Sequence, residues 1–227
     1  MSQSIYEQYL GPDFQKLHPM LQKRFSMSNQ NHLAMVGTGV MERIFNAGWH
    51  TLPFLYVGTW RNIMFPETGI GIPFTIENYA YQDSHGRETV TWIRKFQFGS
   101  KVRRFDATMI RSRQNGNIID YLGNRQHLAV DINMKANLDG SLTIFSGNQR
   151  FYEGPVAFTF PGLFSGNAEV NESYDEAQDL FKISVQVKNK YVGVLFGYTG
   201  HFKAEFKTVP PAKIPAYAKP LREEIRE

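Results

Sequence analysis

The chain of 227 residues contains no cysteine. That excludes disulfides, thiolate nucleophiles, Cys-ligated zinc and iron–sulfur clusters. No apolar run approaches the ~20 residues needed to span a bilayer. The opening MSQSIYEQYL lacks the basic segment and apolar stretch of a secretory signal. The six histidines form no HExxH or H-x-H pair, so no metal site is expected. There is no G-x-S-x-G elbow. Gly37-Thr38-Gly39 resembles part of a dinucleotide loop, but Glu42 stands where the third glycine should be, so no cofactor is expected and a bend in the chain is. The net charge of +4 is scattered, its densest cluster being Lys101, Arg103 and Arg104 beside Asp106. A solvated strand face accounts for that cluster. These absences predict a soluble cytoplasmic protein with no membrane or nucleic-acid partner.

Aromatic residues are abundant, with 18 Phe and 11 Tyr. They favour strands around a large apolar interior. The first 25 residues read as helical: Asp13 suits an N-cap, and Phe14, Leu17, Leu21 and Phe25 share a face. Pro19 predicts a break at His18. His32 to Asn46 fits either strand or helix, and Thr51 to Asn62 reads as a short buried helix. From Ile72 onward the pattern is strand after strand, with turn signals at Asp83–Gly86, Gly99-Ser100, Asn115-Gly116 and Asp139-Gly140. Phe158 to Phe164 reads as an irregular apolar crossing. The expected fold is α+β, mainly β. Short N-terminal helices precede a large antiparallel, strongly curved sheet or barrel-like meander. A helix-grip fold is the alternative, though prolines interrupt the region its C-terminal helix would occupy. The expected organisation is one domain over residues 1–207 and a proline-rich C-terminal arm over 208–227.

ETVTWIRKFQF (88–98) alternates like a half-buried strand, yet Arg94 falls with Val90, Trp92, Phe96 and Phe98. A two-residue Ser84-His85 turn would set Thr75 opposite Arg94, Glu77 opposite Trp92 and Tyr79 opposite Val90. The Gly99-Ser100 turn sets Arg94 opposite Phe105, Trp92 opposite Ala107 and Val90 opposite Met109. An Asn115-Gly116 turn would set Met109 opposite Leu122 and Arg111 opposite Asp120. The pocket face then carries Tyr79, Trp92, Phe105 and Met109, with Glu77 diagonal to Arg94. A lone buried charge is costly. Arg94 therefore either forms an internal ion pair with Glu77 or shares that pair with the head group of a ligand. Glu88, Arg111 and Asp120 would form a structural row. A second candidate group, Arg150, Tyr152 and Glu153, precedes a glycine-proline corner.

PFTIENYAYQDSHGRETVTWIRKF, RRFDATM, RFYEGPVAFTFPGLFSG and LFGYTGHF, in that order, resemble the bacterial domain of unknown function 4166 family. YEQYLGPDFQKLHPMLQKRF and VMERIF look like its opening, so the resemblance spans about residues 5–206. The family implies no activity, cofactor or catalytic residue. Some members are fused behind a saccharopine-dehydrogenase-like NAD(P)-binding domain, which implies a reductase partner. The resulting expectation is a pocket for a small apolar or amphipathic ligand, lined by Trp92, Tyr79, Phe105 and Met109, with Arg94 and Glu77 at its polar end. The alternatives are an isomerase-, cyclase- or hydrolase-type enzyme acting beside a reductase, and a protein-interaction module using the tail.

Overall fold

The computed structural model describes residues 3–49, 51–159, 166–191 and 193–227. Two short helices open the chain. Ser4 caps α1 (Ile5–Leu10) in a capping box with Glu7, and His18 caps α2 (Pro19–Phe25). The break at His18 is where the proline places it. Asp13 is not a cap. It lies in the 3-10 turn Gly11–Lys16 and pairs with Lys16.

Among the described residues eleven strands follow, with α3 (Leu52–Trp60) between the first two. They are β1 (Leu33–Asn46), β2 (Gly69–Gln82), β3 (Glu88–Phe98), β4 (Lys101–Arg111), β5 (Ile118–Leu122) and β6 (Leu128–Ala136). Next come β7 (Leu142–Glu153), β8 (Val156–Thr159), β9 (Asn167–Asp175), β10 (Leu180–Asn189) and β11 (Gly193–Thr208). All pairings are antiparallel, and β6 pairs with β7 to close the sheet on itself. The result is a closed ten-strand barrel, with β8 extending the wall as a hairpin on β7. Closure removes exposed sheet edges from the ten strands of the ring. The expected crossing contributes Phe158 and Thr159 to β8, and the rest of it lies outside the described residues.

The Gly37–Gly39 segment is strand, not a bend. Its glycines serve close approach: a Cβ on Gly39 would sit 2.0 Å from the His201 carbonyl oxygen, and one on Gly37 2.6 Å from the Phe202 ring. Alternation then sends one set of side chains inward from each strand of the ring. Phe74, Phe96, Phe181, Phe196 and Phe202 pack there with Ile144, Val185 and Met41. The N-terminal helices cap one end of the barrel, where the His18 amide donates to the Gly140 carbonyl in the β6–β7 turn. The segment after α3 closes on the other end, where Asn124 in the β5–β6 turn donates to Arg61.

The tail is an extended strap with 3-10 turns at Pro211–Lys213 and Ala216–Ala218. No long helix occurs there, which removes the helix-grip alternative. Ile214 and Ala218 pack on the outer wall against Tyr79, Tyr81 and Ile93. Farther along, buried Arg87 donates to the Glu224 carbonyl at 2.6 Å, and the Tyr121 hydroxyl to the Arg226 carbonyl at 2.8 Å.

Candidate functional site

Arg94 points into the barrel and is 5% exposed. Its neighbours across β4 are the expected ones: Arg94 faces Phe105, Trp92 faces Ala107 and Val90 faces Met109. Its Nε donates to the Phe105 carbonyl at 3.2 Å, and Nη1 donates to the Tyr198 hydroxyl at 3.2 Å. The guanidinium lies 3.8 Å from the Phe105 ring centroid, within cation–π range.

Glu77 is not its partner. The β2–β3 connection is a five-residue loop, 83–87, because Asp83 Oδ1 accepts from the amides of both His85 and Arg87. This shifts β2 by one residue against the two-residue-turn register, so Ile76 faces Arg94 and every β2 side chain changes face. Glu77 therefore sits on the outer wall. It pairs with Lys95 at 2.5 Å and accepts from the Tyr79 and Tyr217 hydroxyls at 2.8 and 2.7 Å. Burial raises its pKa, but these three hydrogen bonds outweigh burial and hold the carboxyl below its ordinary value. Tyr79 moves outward with it and becomes part of the bed for the strap.

Asp120 is the acidic residue that enters the barrel beside Arg94. The β4–β5 connection spans 112–117, with the Ser112 hydroxyl accepting from the amides of Gln114 and Asn115. The register is displaced by two residues from the Asn115-Gly116 expectation, setting Asp120 opposite Met109 and Leu122 opposite Ala107. A two-residue displacement preserves the face, so Asp120 stays with the apolar set. The expected Glu88–Arg111–Asp120 row does not form: Arg111 faces Ile118, and Glu88 accepts from the Asn29 amide.

Arg94 and Asp120 line a largely enclosed cavity with ≈ 60 Å³ open to the centre of a water molecule. Trp92, Phe105 and Met109 also line it, and its far wall is aliphatic, including Val130, Ile144, Val170 and Val185. Asp120 Oδ1 is buried without a hydrogen-bond partner. Burial pushes the carboxyl up, and the Arg94 charge and a main-chain hydrogen bond at Thr108 pull it back, leaving it at about 7. The cavity thus presents a cation beside a carboxyl that changes charge near neutral pH.

A second charged pair lies deeper, toward the helix-capped end. Arg24 of α2 and Glu172 of β9 are both fully buried. Arg24 Nη2 donates to Glu172 Oε1 at 3.1 Å, while Nε lies 3.0 Å from Oε2 without an aligned hydrogen bond. The guanidinium also stands 4.8 Å from the Trp92 ring and 5.1 Å from Phe202. Burial pulls the Arg24 pKa down and pushes the Glu172 pKa up, while each partner's charge opposes the change. Beside the pair, Trp92 Nε1 donates to the Tyr6 hydroxyl at 2.9 Å. No local pattern announces Arg24 and Glu172. Their 148-residue separation hides the partnership.

The second candidate group belongs to the wall. Arg150 pairs with Asp131 at 2.6 Å, and Glu153 lies 2.7 Å from His127. Tyr152 packs on the outer wall with Ile119 and Tyr121, and its hydroxyl donates to the Glu227 carbonyl. None of the three lines the cavity. Among the described residues, no group of three or more His, Asp or Glu side chains is placed to hold a metal ion. No helix of the described residues is long and apolar enough to cross a membrane.

The family model for a domain of unknown function (DUF4166) matches residues 17–202. An uncharacterized protein, YndH, of Bacillus subtilis (strain 168) is 36% identical over 202 residues, covering 89% of this chain and 97% of its own length. The match runs from α2 into β11 and takes in the Arg24–Glu172 pair and the whole Arg94–Asp120 cavity. The chain belongs to the DUF4166 family.

Proposed function

We propose that the barrel binds a small amphipathic ligand, with its polar end between Arg94 and Asp120 and its apolar end against the aliphatic wall. The carrying observation is Asp120 Oδ1, a buried acceptor with no partner, facing a cavity that also holds a guanidinium. An unmet buried carboxylate oxygen costs about 1–3 kcal/mol or more, and a ligand donor would relieve that cost. A ten-strand barrel is wider than the eight-strand ring that side chains just fill, which favours an enclosed cavity. Its size limits the occupant. One water needs roughly 10–15 Å³ of such volume, so the space suits a ligand of only a few heavy atoms. Arg94 would bind an anionic or carbonyl oxygen, and Asp120 would accept a hydrogen bond from the ligand when ionised or donate one when protonated.

The same pair supports a second reading, proton transfer to or from the bound molecule. The observation favouring it is the Asp120 carboxyl, poised at about 7.

Native mass spectrometry of freshly purified protein tests the binding reading, followed by identification of anything released. The expected result is a stoichiometric small molecule in wild type that is missing from Arg94→Met, with the variant still folded. A wild-type protein that carries nothing would refute it if, in addition, the Trp92 indole NMR resonance stayed fixed across a panel of small carboxylic acids, amides and alcohols.

A further inference from the structure

The barrel end opposite the N-terminal helices gathers large exposed apolar side chains from separate segments. Trp49 follows β1 and is 83% exposed, and Ile70 at the start of β2 is also 83% exposed. Tyr56 and Trp60 project from α3, Val156 from the β7–β8 hairpin, and Tyr191 from the β10–β11 turn. Sequence distance does not unite these residues. Strand direction does, because each segment leaves or enters the barrel at the same end. Scattered exposed apolar residues need no explanation, but a concentration of them on one end of a molecule marks a contact surface.

Charge identifies the partner. Arg43, Arg125, Lys188 and Lys190 are exposed at this end, and none joins a salt bridge found among the described residues. Arg61 lies 4.0 Å over the Trp60 ring, and Lys190 5.9 Å from the Tyr191 ring. Of the acidic residues here, Glu67 holds Lys101 and Arg103 and Glu153 holds His127, while exposed Glu169 joins no salt bridge found among the described residues. The opposite end is where acidic Asp13, Asp139, Glu176 and Asp179 are exposed. Exposed cations also occur at that end, Lys135 and Lys207 among them, but at the end opposite the helices they stand among exposed aromatic rings. A second copy docking through this end would set like charges face to face. A nucleic acid would use the rings and cations but has no use for Ile70 and Val156. A bilayer surface uses all three, since rings settle at the headgroup level, aliphatic side chains reach the acyl boundary, and cations meet lipid phosphates.

We propose that this end docks peripherally on an anionic bilayer surface. Such docking needs no spanning segment, so it does not conflict with the absence of a long apolar helix. The barrel is also not arranged to cross a bilayer. Its interior is filled mainly by apolar side chains, and its outer wall carries charged side chains such as Lys182, Lys203 and Glu205, the reverse of a water-filled transmembrane barrel. The inference stands independently of the cavity ligand.

The test is co-sedimentation of the full chain with vesicles of phosphatidylcholine alone, or of phosphatidylcholine containing phosphatidylglycerol. Binding to the anionic vesicles is expected, with tryptophan emission shifting to the blue. Each basic residue near the surface contributes about fivefold, so Lys188→Glu/Lys190→Glu should weaken binding by about 25-fold or more. Trp60→Ser/Ile70→Ser should weaken it by at least about tenfold. Leu138→Ser, on the helix-capped end, should bind as wild type, and circular dichroism should find all variants folded. Four outcomes would overturn the proposal: no pelleting with either vesicle, equal pelleting with both, folded variants that bind like wild type, or preferential capture of single-stranded RNA.

Discussion

Asp120→Asn should remove a specific part of the protein's pH dependence. Burial holds the Asp120 carboxyl at about 7 in the folded chain, against an ordinary value of 3.8. The folded protein therefore keeps this proton over a range in which the unfolded chain has released it. Stability falls as pH rises from the unfolded value through about 7, then levels off once both states are ionised. The gap between the two values is about 4 kcal/mol of cost borne at alkaline pH. Between about pH 5 and about pH 8, linkage assigns about 2.5 kcal/mol of lost stability to this one group. Burial raises Glu172, Glu88 and Asp106 as well, so wild type alone cannot isolate it. The informative quantity is the difference between wild type and Asp120→Asn, measured by urea unfolding at both pH values. The variant should gain on wild type by about 2.5 kcal/mol as pH rises across that interval. If the two proteins lose stability in parallel, Asp120 is not a carboxyl whose ionisation burial opposes, and the electrostatic account of the site is wrong.

Two structural predictions accompany it. Arg24→Met leaves Glu172 as an uncompensated buried charge and should cost about 3–5 kcal/mol in urea unfolding, while Arg24→Met/Glu172→Leu should recover most of the loss. A double variant as unstable as the single would mean that the loss comes from the missing Arg24 contacts and not from a stranded Glu172 charge. Gly39→Ala drives a methyl against the His201 carbonyl and the Phe202 Cα, 2.0 and 2.5 Å from its ideal position, and should cost at least about 1–3 kcal/mol. An unchanged melting temperature would show that β1 and β11 are not so closely apposed.

The curved antiparallel sheet was legible because alternation and turn chemistry agreed over long stretches. Gly99-Ser100 is a two-residue connection, so the neighbours of Trp92 and Arg94 on β4 follow directly from the sequence. The polar end of the site was not legible for a local reason. Asp83 builds its turn through two amides rather than none, and one added residue moved Glu77 to the outer wall. Asp120 survived a similar error because its displacement was even. In IIDYL it stands between Ile118 and Leu122 on the apolar side, a signal as strong as that of Arg94 within ETVTWIRKFQF. Arg24 and Glu172 had no such signal. A buried ion pair between a helix and a distant strand is specified by closure of the whole barrel, which no local window contains.

The β1–β11 seam also bears on how the chain reaches its fold. β1 acquires its neighbour β2 early, but its other edge stays open until β11 has been made, and Ala34 pairs with Lys207 across nearly the whole sequence. Local hairpins from β2 to β6 can assemble first, whereas closing the ring carries the full entropy of joining distant ends. During synthesis the β1 edge and the apolar faces of the finished strands stand exposed together, the combination most prone to pairing with another chain. The N-terminal helices cannot shield them at that stage, because Glu172, Phe181 and Phe202, the partners that seat Arg24, lie in β9, β10 and β11. The barrel is thus sealed at its seam and plugged at its end only as the last strands arrive, which makes this a slow-folding topology whose vulnerable period lasts for most of its synthesis.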